Sequence, residues 1–164
     1  MMATEDFAMP TPTELIESYL AGPAQLRHAV RGLSRDQLLA RPVPGKWSTL
    51  EVVCHLADFE PVYADRFRRV IALKGHVLFV ADENEYVKFL QYHDRDLEEE
   101  LRMIEATRTA TATLLKALPP DAWERTGVHS EKGKVTLADL VKSAANHIPS
   151  HIKFIDDKRA ALGL

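Results

Sequence analysis

Apolar side chains recur every three or four positions in four segments of the chain, the spacing that places them on one face of an α-helix. Three segments begin with a capping pattern, a threonine or serine followed three residues later by an acid that bonds back to it. The other segment begins in an acidic run and is closed by Pro119-Pro120, which cannot continue a helix. The pattern predicts long helices at about 12–30, 49–73, 94–118 and 137–162.

The connections between the helices carry shorter signals. Ser34-Arg-Asp-Gln37 is a capping box that predicts a short turn of helix before a proline-rich loop. Residues 74–93 form a longer connection, whose length predicts a crossover or a flap over one end of the bundle. Inside the first helix, Gly22-Pro23 predicts a kink or a brief interruption. No alternating segment is long enough to predict a sheet, so the fold class is an all-α four-helix bundle.

Composition and charge narrow the class of protein. The 164 residues are 46% hydrophobic and 27% charged, which is typical of one globular domain over 1–164, with residues 1–10 as a loose tail. The net charge of −3 is spread over mixed acidic and basic residues, which argues against a nucleic-acid partner. No apolar stretch is long enough to span a membrane. An acidic N-terminus and a single cysteine, Cys54, favour the reducing cytoplasm.

Three histidines occupy positions that the helical period assigns to buried faces. In the last segment, apolar Leu140 and Ala144 are followed at the same spacing by His147 and His151. These two histidines are one turn apart, roughly 6 Å along the axis, so both imidazoles can reach one ion. His55 stands in the apolar row of the second segment. The remaining histidines lack this placement and are predicted to be surface or loop residues: His28, His76, His93 and His129.

Three imidazoles in one small core point to a divalent metal ion. A buried imidazole with an unpaired nitrogen costs about 1–3 kcal/mol. A metal takes one nitrogen of each ring, and hydrogen-bond acceptors around the site take the other. Three protein ligands also leave a coordination position for water or substrate, as in catalytic zinc sites. The alternative is that each histidine is a hydrogen-bonded core residue, which the pair on one helix and the third histidine on another make less favourable.

Four charged residues near these rows are candidates for contacts to the ligands or to a substrate. Glu51 lies one turn before the first histidine, but its simpler role is the capping partner of the serine that begins the helix. Asp58 is either an orienting or substrate-contacting acid or an exposed helix acid. Arg66 and Arg108 fall on otherwise apolar rows, and a buried arginine requires an anionic partner. For that partner we expect Glu60 or another protein carboxylate in preference to a substrate anion. The pattern identifies no catalytic residue.

Three other residues lie next to the candidate ligands in sequence. Trp47 either lines a pocket or, more simply, packs the preceding loop against the bundle. Cys54 adjoins His55 but points about 100° away around the helix, so we predict a small core residue and not a ligand. Pro149 removes one backbone donor between the two histidines of the last helix and is expected to bend it.

Two groups of short motifs resemble one known family. The first reads Gly45-Lys-Trp-Ser48, then His55-Leu-Ala-Asp-Phe-Glu60, then Arg66 through Arg69. The second reads Gly133-Lys-Val-Thr-Leu137, then His147-Ile-Pro-Ser-His151. In this order and at these separations they are similar to the opening and closing motifs of the DinB/YfiT-like superfamily of metal-dependent enzymes.

This resemblance implies a bundle of up-down-down-up topology with a metal held by one histidine of helix two and two of helix four. Those positions correspond to His55, His147 and His151, the three that the helical rows select. The resemblance also implies zinc or nickel as the metal and a homodimer. For some relatives it implies S-transfer or isomerisation with a low-molecular-weight thiol, bacillithiol or mycothiol, as co-substrate.

The leading hypothesis is a metal-dependent enzyme acting on a small-molecule substrate, in which the centre activates water or a low-molecular-weight thiol by lowering its pKa. Hydrolysis and thiol transfer are both open, since no thiol-recognition motif is visible. The alternative from another class is a non-catalytic metal-binding or stress-response protein with a structural or sensing metal. A third is a protein with a decayed site that works through dimer contacts.

Overall fold

Four long helices form the body of the structure, a computed structural model that describes residues 9–164. The long helices are α1 (Pro12–Ala29), α3 (Thr49–Ala72), α5 (Leu97–Lys116) and α6 (Leu137–Ala161), and the short helices are α2 (Arg35–Leu39) and α4 (Glu83–Phe89). The predicted loose tail, residues 1–10, lies outside the described residues except for its last two positions.

Local capping sets the first residue of each long helix. Ser48 precedes α3; its hydroxyl accepts the backbone N–H of Glu51, and the Glu51 carboxylate accepts the N–H of Ser48. Thr11 and Thr136 make the same reciprocal bonds at α1 and α6. The α5 helix begins about one turn later than the pattern predicts, because the Asp96 side chain accepts the first free backbone N–H groups.

Two hydrophobic clusters fix the direction of each long helix. In the first cluster, the opening halves of α1 and α6 pack against the closing halves of α3 and α5, through residues that include Tyr19, Phe67, Leu115 and Leu140. In the second, the closing halves of α1 and α6 meet the opening halves of α3 and α5, through residues that include Leu26, Val52, Ile104 and Ile155. Hence α1 and α6 run in one direction and α3 and α5 in the other. The predicted four-helix bundle and its up-down-down-up order are confirmed.

The α1 helix runs without a break through Gly22-Pro23, so the predicted interruption is wrong. Pro23 has no N–H to offer the carbonyl oxygen of Tyr19, one turn earlier. Arg108 of α5 supplies the donor instead, since its Nη1 lies 2.7 Å from that oxygen. Gly22 leaves the room for it, because a Cβ at this position would lie 2.4 Å from the same Nη1. Gly22 and Pro23 together therefore allow the buried guanidinium of Arg108 to bond to the backbone of α1.

A small three-stranded sheet is present, so the expectation that no sheet forms is wrong. Strand β1 (Val77–Leu78) pairs in parallel with β2 (Thr126–His129), which pairs antiparallel with β3 (Gly133–Thr136). Strands of two to four residues are too short to show an alternating pattern in the sequence. The β3 strand leads directly into α6, so the hairpin positions the start of that helix.

The connection from α3 to α5 contains β1, α4 and a 3₁₀ turn at Tyr92–Asp94. Because α3 and α5 are parallel, the chain must return along the length of the bundle, and the connection is therefore a crossover and not a flap over one end. On the way α4 packs on α3, with the ring of Tyr86 centred 5.7 Å from that of Phe59. This path brings the first turn of α4 close to the histidines described below.

The long helices each carry one apolar face and one charged face. In the first turn of α5, for example, Glu98 and Glu99 are exposed, whereas Leu101 is buried. Among residues 9–164, no helix combines the length and the low charge that a segment crossing a bilayer needs.

Candidate metal centre

Three histidines from two antiparallel helices meet between α3 and α6. His55 lies on α3 and is fully buried. His147 and His151 lie one turn apart on α6 and are half-buried. One nitrogen of each ring lies within 4.8 Å of the corresponding nitrogens of the other two. The structure thus brings together the three residues that the helical rows select.

The ring nitrogens differ in their partners. Nε2 of His55 and Nε2 of His147 face each other 3.0 Å apart. Nδ1 of His151 lies 3.0 Å from the carbonyl oxygen of His147, which places the proton on Nδ1 and leaves the lone pair of Nε2 free. Nδ1 of His55 and Nδ1 of His147 are buried without a hydrogen-bond partner in the part of the chain that the structure describes. Among the described residues, the expected hydrogen-bond acceptor for the second ring nitrogen is therefore present at His151 and absent at His55 and His147.

All three imidazoles are held in the neutral form. Burial lowers the pKa of His55 to about 3, and the neighbouring His151 lowers it further. Burial lowers the pKa of His147 to about 2, with smaller contributions from His151 and His55. Burial also lowers the pKa of His151, although its bond to the His147 backbone opposes this. Neutral imidazole is the form that binds metal.

This donor set fits a divalent transition metal. Two imidazole lone pairs that face each other at 3.0 Å repel unless a proton or a cation lies between them. Metal–nitrogen bonds of about 2.0–2.1 Å, with angles of about 90–110° between them, place ligand nitrogens roughly 2.8–3.4 Å apart, and the His55–His147 pair meets this separation. Imidazole ligands suit zinc, copper, iron and nickel.

Aromatic rings pack around the histidines. The ring of Phe59 is centred 4.4 Å from that of His55, and the ring of Trp47 is 5.3 Å from it. Tyr63 lies against His147, with centroids 5.5 Å apart. Such a shell limits the access of water and strengthens the interactions of any ion that it encloses. Trp47 therefore lines the site, and it also packs against the second hydrophobic cluster of the bundle, so both of its predicted roles are confirmed.

A cavity of about 330 Å³ adjoins the histidine cluster at His151. Its volume lies at the lower end of the range for pockets that bind small molecules, about 300–1,000 Å³. His151 forms part of its wall, together with aromatic and charged side chains, among them Lys46, Trp47, Glu83, Phe154 and Lys158.

Glu83 is a site residue that the sequence analysis missed. It lies in the first turn of α4, and its Oε2 is 3.9 Å from Nε2 of His55. The signal available in the sequence was the acidic run Asp82-Glu-Asn-Glu. Acids are common near the start of a helix, and one that does not cap the helix can take another role. Its placement beside the histidines depends on the path of the crossover, which no local pattern specifies.

Glu51 and Asp58 are engaged outside the histidine cluster. Glu51 forms the predicted capping box and also pairs with Arg41, so its capping role is confirmed. Asp58 accepts a hydrogen bond of 2.8 Å from Arg95, and its side chain is only 14% exposed, so the exposed helix acid is wrong. Neither carboxylate bonds to the clustered histidines among the described residues.

The two inward arginines have different partners. Arg108 pairs with Glu60 at 2.6 Å, and both side chains are fully buried. Arg66 donates one hydrogen bond of 2.6 Å to the backbone oxygen of Phe79. Among the described residues, no carboxylate oxygen lies within 4.0 Å of the Arg66 guanidinium. The expected protein carboxylate is therefore confirmed for Arg108 and wrong for Arg66.

Two further predictions concern single residues. Cys54 is buried, and its thiol lies 3.7 Å from the backbone oxygen of Tyr92, so its role as a core residue is confirmed. His129 is only 5% exposed and belongs to β2, so its predicted surface or loop position is wrong. The short strand that buries it has no signature of its own in the sequence. Of the other histidines outside the cluster, His28 and His93 are exposed and His76 lies half-buried in the crossover.

Comparison with known proteins finds a family profile and relatives that match most of this chain. The sequence profile of the DinB superfamily matches residues 19–155. A protein of Oceanobacillus iheyensis, named “Putative metal-dependent hydrolase”, is 29% identical over 133 residues, which cover 81% of this chain and 77% of that protein.

Two solved structures share the fold. YfiT from Bacillus subtilis, described as “a probable metal-dependent hydrolase with an unusual four-helix bundle topology”, superposes with a TM-score of 0.88 at 22% identity, covering 99% of this chain and 94% of that chain. The mycothiol-dependent maleylpyruvate isomerase has a TM-score of 0.70 at 12% identity, covering 93% of this chain and 62% of that chain.

Proposed function

This chain belongs to the DinB superfamily, and we propose that it is a metal-dependent enzyme whose ion is bound by His55, His147 and His151. The observation that carries the proposal is the convergence of three neutral imidazoles from two helices on one point beside a cavity. The names of the relatives support a metal-dependent hydrolase of a small molecule. Zinc and nickel are the proposed ions, because the family resemblance implies them and both accept imidazole ligands.

A bound divalent ion would act as a Lewis acid that lowers the pKa of a water molecule or a thiol. Side chains of the protein would accept the proton and bind the substrate. Glu83, whose Oε2 lies 3.9 Å from His55 Nε2, is placed to accept the proton of the nucleophile. Trp47 and Phe154 would hold the apolar part of a substrate in the cavity and exclude bulk water.

Hydrolysis is the reaction that we favour, since the relatives described as hydrolases match most of the chain. Transfer of a low-molecular-weight thiol is the second candidate. It is supported by the fold shared with a mycothiol-dependent isomerase and by a cavity large enough for part of such a co-substrate. In either reaction the same carboxylate would take the proton, from water or from the thiol.

Metal content tests the site directly. Wild type and His151→Ala would be purified without added metal and submitted to elemental analysis. We expect close to one zinc or nickel per wild-type chain and little in the variant. His28→Ala is the matched control, because His28 is exposed on α1 and should leave the metal content unchanged. Equal, negligible metal in all three proteins would contradict the proposal.

Turnover separates the enzyme from a protein with a structural or sensing metal. The metal-loaded wild type would be assayed against a panel of esters and amides, and then against electrophiles with bacillithiol or mycothiol. An enzyme should lose turnover on chelation while its helical circular dichroism is retained. A structural metal should instead give no turnover and a sharp fall in melting temperature on chelation.

A homodimer is also proposed. The crossover presents exposed apolar side chains, among them Phe79, which is 77% exposed, and Phe89, which is 60% exposed. Light scattering coupled to size-exclusion chromatography would measure the mass, and a mass of one chain would contradict a dimer. The cytoplasmic location stays a prediction.

A further inference from the structure

A second cavity, of about 220 Å³, lies between α3, the β2–β3 hairpin and the start of α6. It is separate from the cavity at the histidines and shares no wall residue with it. Its polar wall consists of three basic side chains, two hydroxyls and one carboxylate, namely Arg66, His129, Lys132, Tyr63, Ser143 and Asp139.

Arg66 is the central feature of this cavity. Only 8% of the residue is exposed, yet within residues 9–164 it makes a single hydrogen bond, to the backbone oxygen of Phe79. Its sequence neighbour Asp65 pairs with Arg69 instead. Arg108 shows what a buried guanidinium normally has, since it bonds to a carboxylate and to two backbone oxygens. A buried charge without a counter-charge is costly, and an anion in the cavity would remove that cost.

His129 and the hydroxyls add neutral donors. Nδ1 of His129 accepts the backbone N–H groups of Glu131 and Lys132, at 3.2 and 3.4 Å, so the proton of the neutral ring is on Nε2. Burial lowers the pKa of His129, as do Arg66 and Lys132, which keeps the ring neutral. The hydroxyls of Tyr63 and Ser143 are 3.2 Å apart, so one bonds to the other and one proton is left to donate.

The carboxylate on this wall is largely neutralised by its own bonds. Asp139 accepts the backbone N–H of Thr136 at 2.9 Å and its hydroxyl at 2.7 Å, as the capping residue of α6. The positive end of the α6 dipole offsets its charge. Since Arg66 and Lys132 face this single acid, the wall carries a net positive charge.

We propose that this cavity binds an oxyanion: the phosphate, sulfate or carboxylate group of a small ligand. The planar guanidinium offers parallel N–H donors that match such groups. The volume suits a small anionic group and is below that of pockets for larger ligands, about 300–1,000 Å³. The ring of Tyr63 lies between this cavity and the candidate metal centre, since Tyr63 is part of the cavity wall and its ring is also centred 5.5 Å from that of His147. The proposal does not rest on the presence of a metal.

Calorimetric titration with inorganic phosphate at constant ionic strength tests the site. Constant ionic strength is needed because salt screens weak binding. We expect saturable binding to the wild type that weakens at least about tenfold in Arg66→Gln, because a charge-assisted bidentate contact is lost. Arg68→Gln is the matched control, since Arg68 is exposed on the same helix and, among the described residues, bonds only to the backbone oxygen of Ala64. It should bind as the wild type does.

If Arg66→Gln fails to fold, Lys132→Gln tests the same cavity. Lys132 is exposed, so its substitution should leave the fold intact. It should weaken phosphate binding severalfold, while Lys134→Gln on the same hairpin, outside the cavity wall, should not. Titrations before and after chelation distinguish the two sites: binding that persists after chelation belongs to the Arg66 cavity. Absence of saturable binding, equal loss in the control variants, or loss on chelation would each overturn the proposal.

A phosphate monoester such as glycerol phosphate identifies the source of the anion. Tighter binding of the ester than of inorganic phosphate, again lost in Arg66→Gln, supports an organic ligand whose remainder contacts the protein. Equal binding, lost in the same variant, supports a free inorganic oxyanion.

Discussion

The Nε2 atoms of His55 and His147 face each other 3.0 Å apart across the contact between α3 and α6. Both rings are neutral, and each has a buried second nitrogen, Nδ1, without a hydrogen-bond partner among the described residues. The chain therefore holds two desolvated imidazole nitrogens at a separation that suits one shared cation. Without that cation, the stability of the folded protein depends on pH, because the folded state excludes protons from both rings.

The metal-free protein should lose stability as the pH falls. The pKa of His55 is about 3 and that of His147 about 2 in the folded state, below the ordinary value of about 6.5. The unfolded chain therefore binds protons that the folded chain excludes, so this stability is present above about pH 6.5 and is lost as the pH falls toward these values. Each ring contributes a slope of at most about 1.4 kcal/mol per pH unit.

Urea unfolding of chelated protein between pH 7.5 and 4.5 measures this slope. His55→Gln should give a shallower decline of the free energy of unfolding than the wild type. His28→Gln, at an exposed position, should follow the wild type. Identical slopes in all three proteins would show that the clustered histidines do not control the acid sensitivity.

Glu83→Gln should reduce turnover while metal content and melting temperature are retained. The amide keeps the shape of the side chain, whose carboxylate lies 3.9 Å from His55 Nε2, but it cannot accept a proton. A general base is worth about 10²–10⁴-fold in rate, so the loss of kcat should fall in that range. Glu85→Gln, on the same short helix, is the control. Equal activity of the two variants would remove Glu83 from the mechanism.

Arg108→Met should destabilise the fold by about 3–5 kcal/mol, because it leaves the buried Glu60 carboxylate without its partner. Glu60→Gln combined with Arg108→Met should recover part of that loss. Arg102→Ala, which removes an exposed arginine of the same helix, should cost less than about 1 kcal/mol. Chemical denaturation gives all three values, and similar losses in Arg108→Met and Arg102→Ala would refute the buried pair as a major contribution.

Gly22→Ala should destabilise the protein by about 1–3 kcal/mol, although alanine is the better helix former. Its Cβ would lie 2.4 Å from Nη1 of Arg108. The penalty should shrink when Gly22→Ala is made in the Arg108→Met background, because the clash is gone. Thermal unfolding of the single and double variants measures the coupling. A penalty of the same size in both backgrounds would mean that the guanidinium is not the obstacle.

The Cys54 thiol should be inert in the native protein. Burial raises its pKa to about 12, with a smaller contribution from Glu100, so almost no thiolate forms at neutral pH. A chromogenic thiol reagent at pH 8 should label it slowly when folded and rapidly, one group per chain, in denaturant. Rapid labelling of the folded protein would contradict its burial.

Local sequence information was sufficient for the four long helices and α2 and for the inward position of His55, His147 and His151, but it did not predict α4. Ser48 and Glu51 set the start of α3 through bonds three residues apart, and His147 and His151 share a row because the helix repeats every 3.6 residues. These relationships lie within one turn or two. They form in the same way wherever the helix packs, so the sequence alone determined them.

The tertiary structure alone decided which inward residues meet. Arg66 and Arg108 both stand in apolar rows of the sequence, yet Arg108 pairs with Glu60 whereas Arg66 faces a cavity. Glu83 reaches the histidines only because the crossover returns along α3. Contacts between residues far apart in the chain depend on how whole helices and connections are placed, and no local periodicity carries that information. The same reason applies to His55 and His147, whose helical rows predict that each faces inward but not that their Nε2 atoms lie 3.0 Å apart.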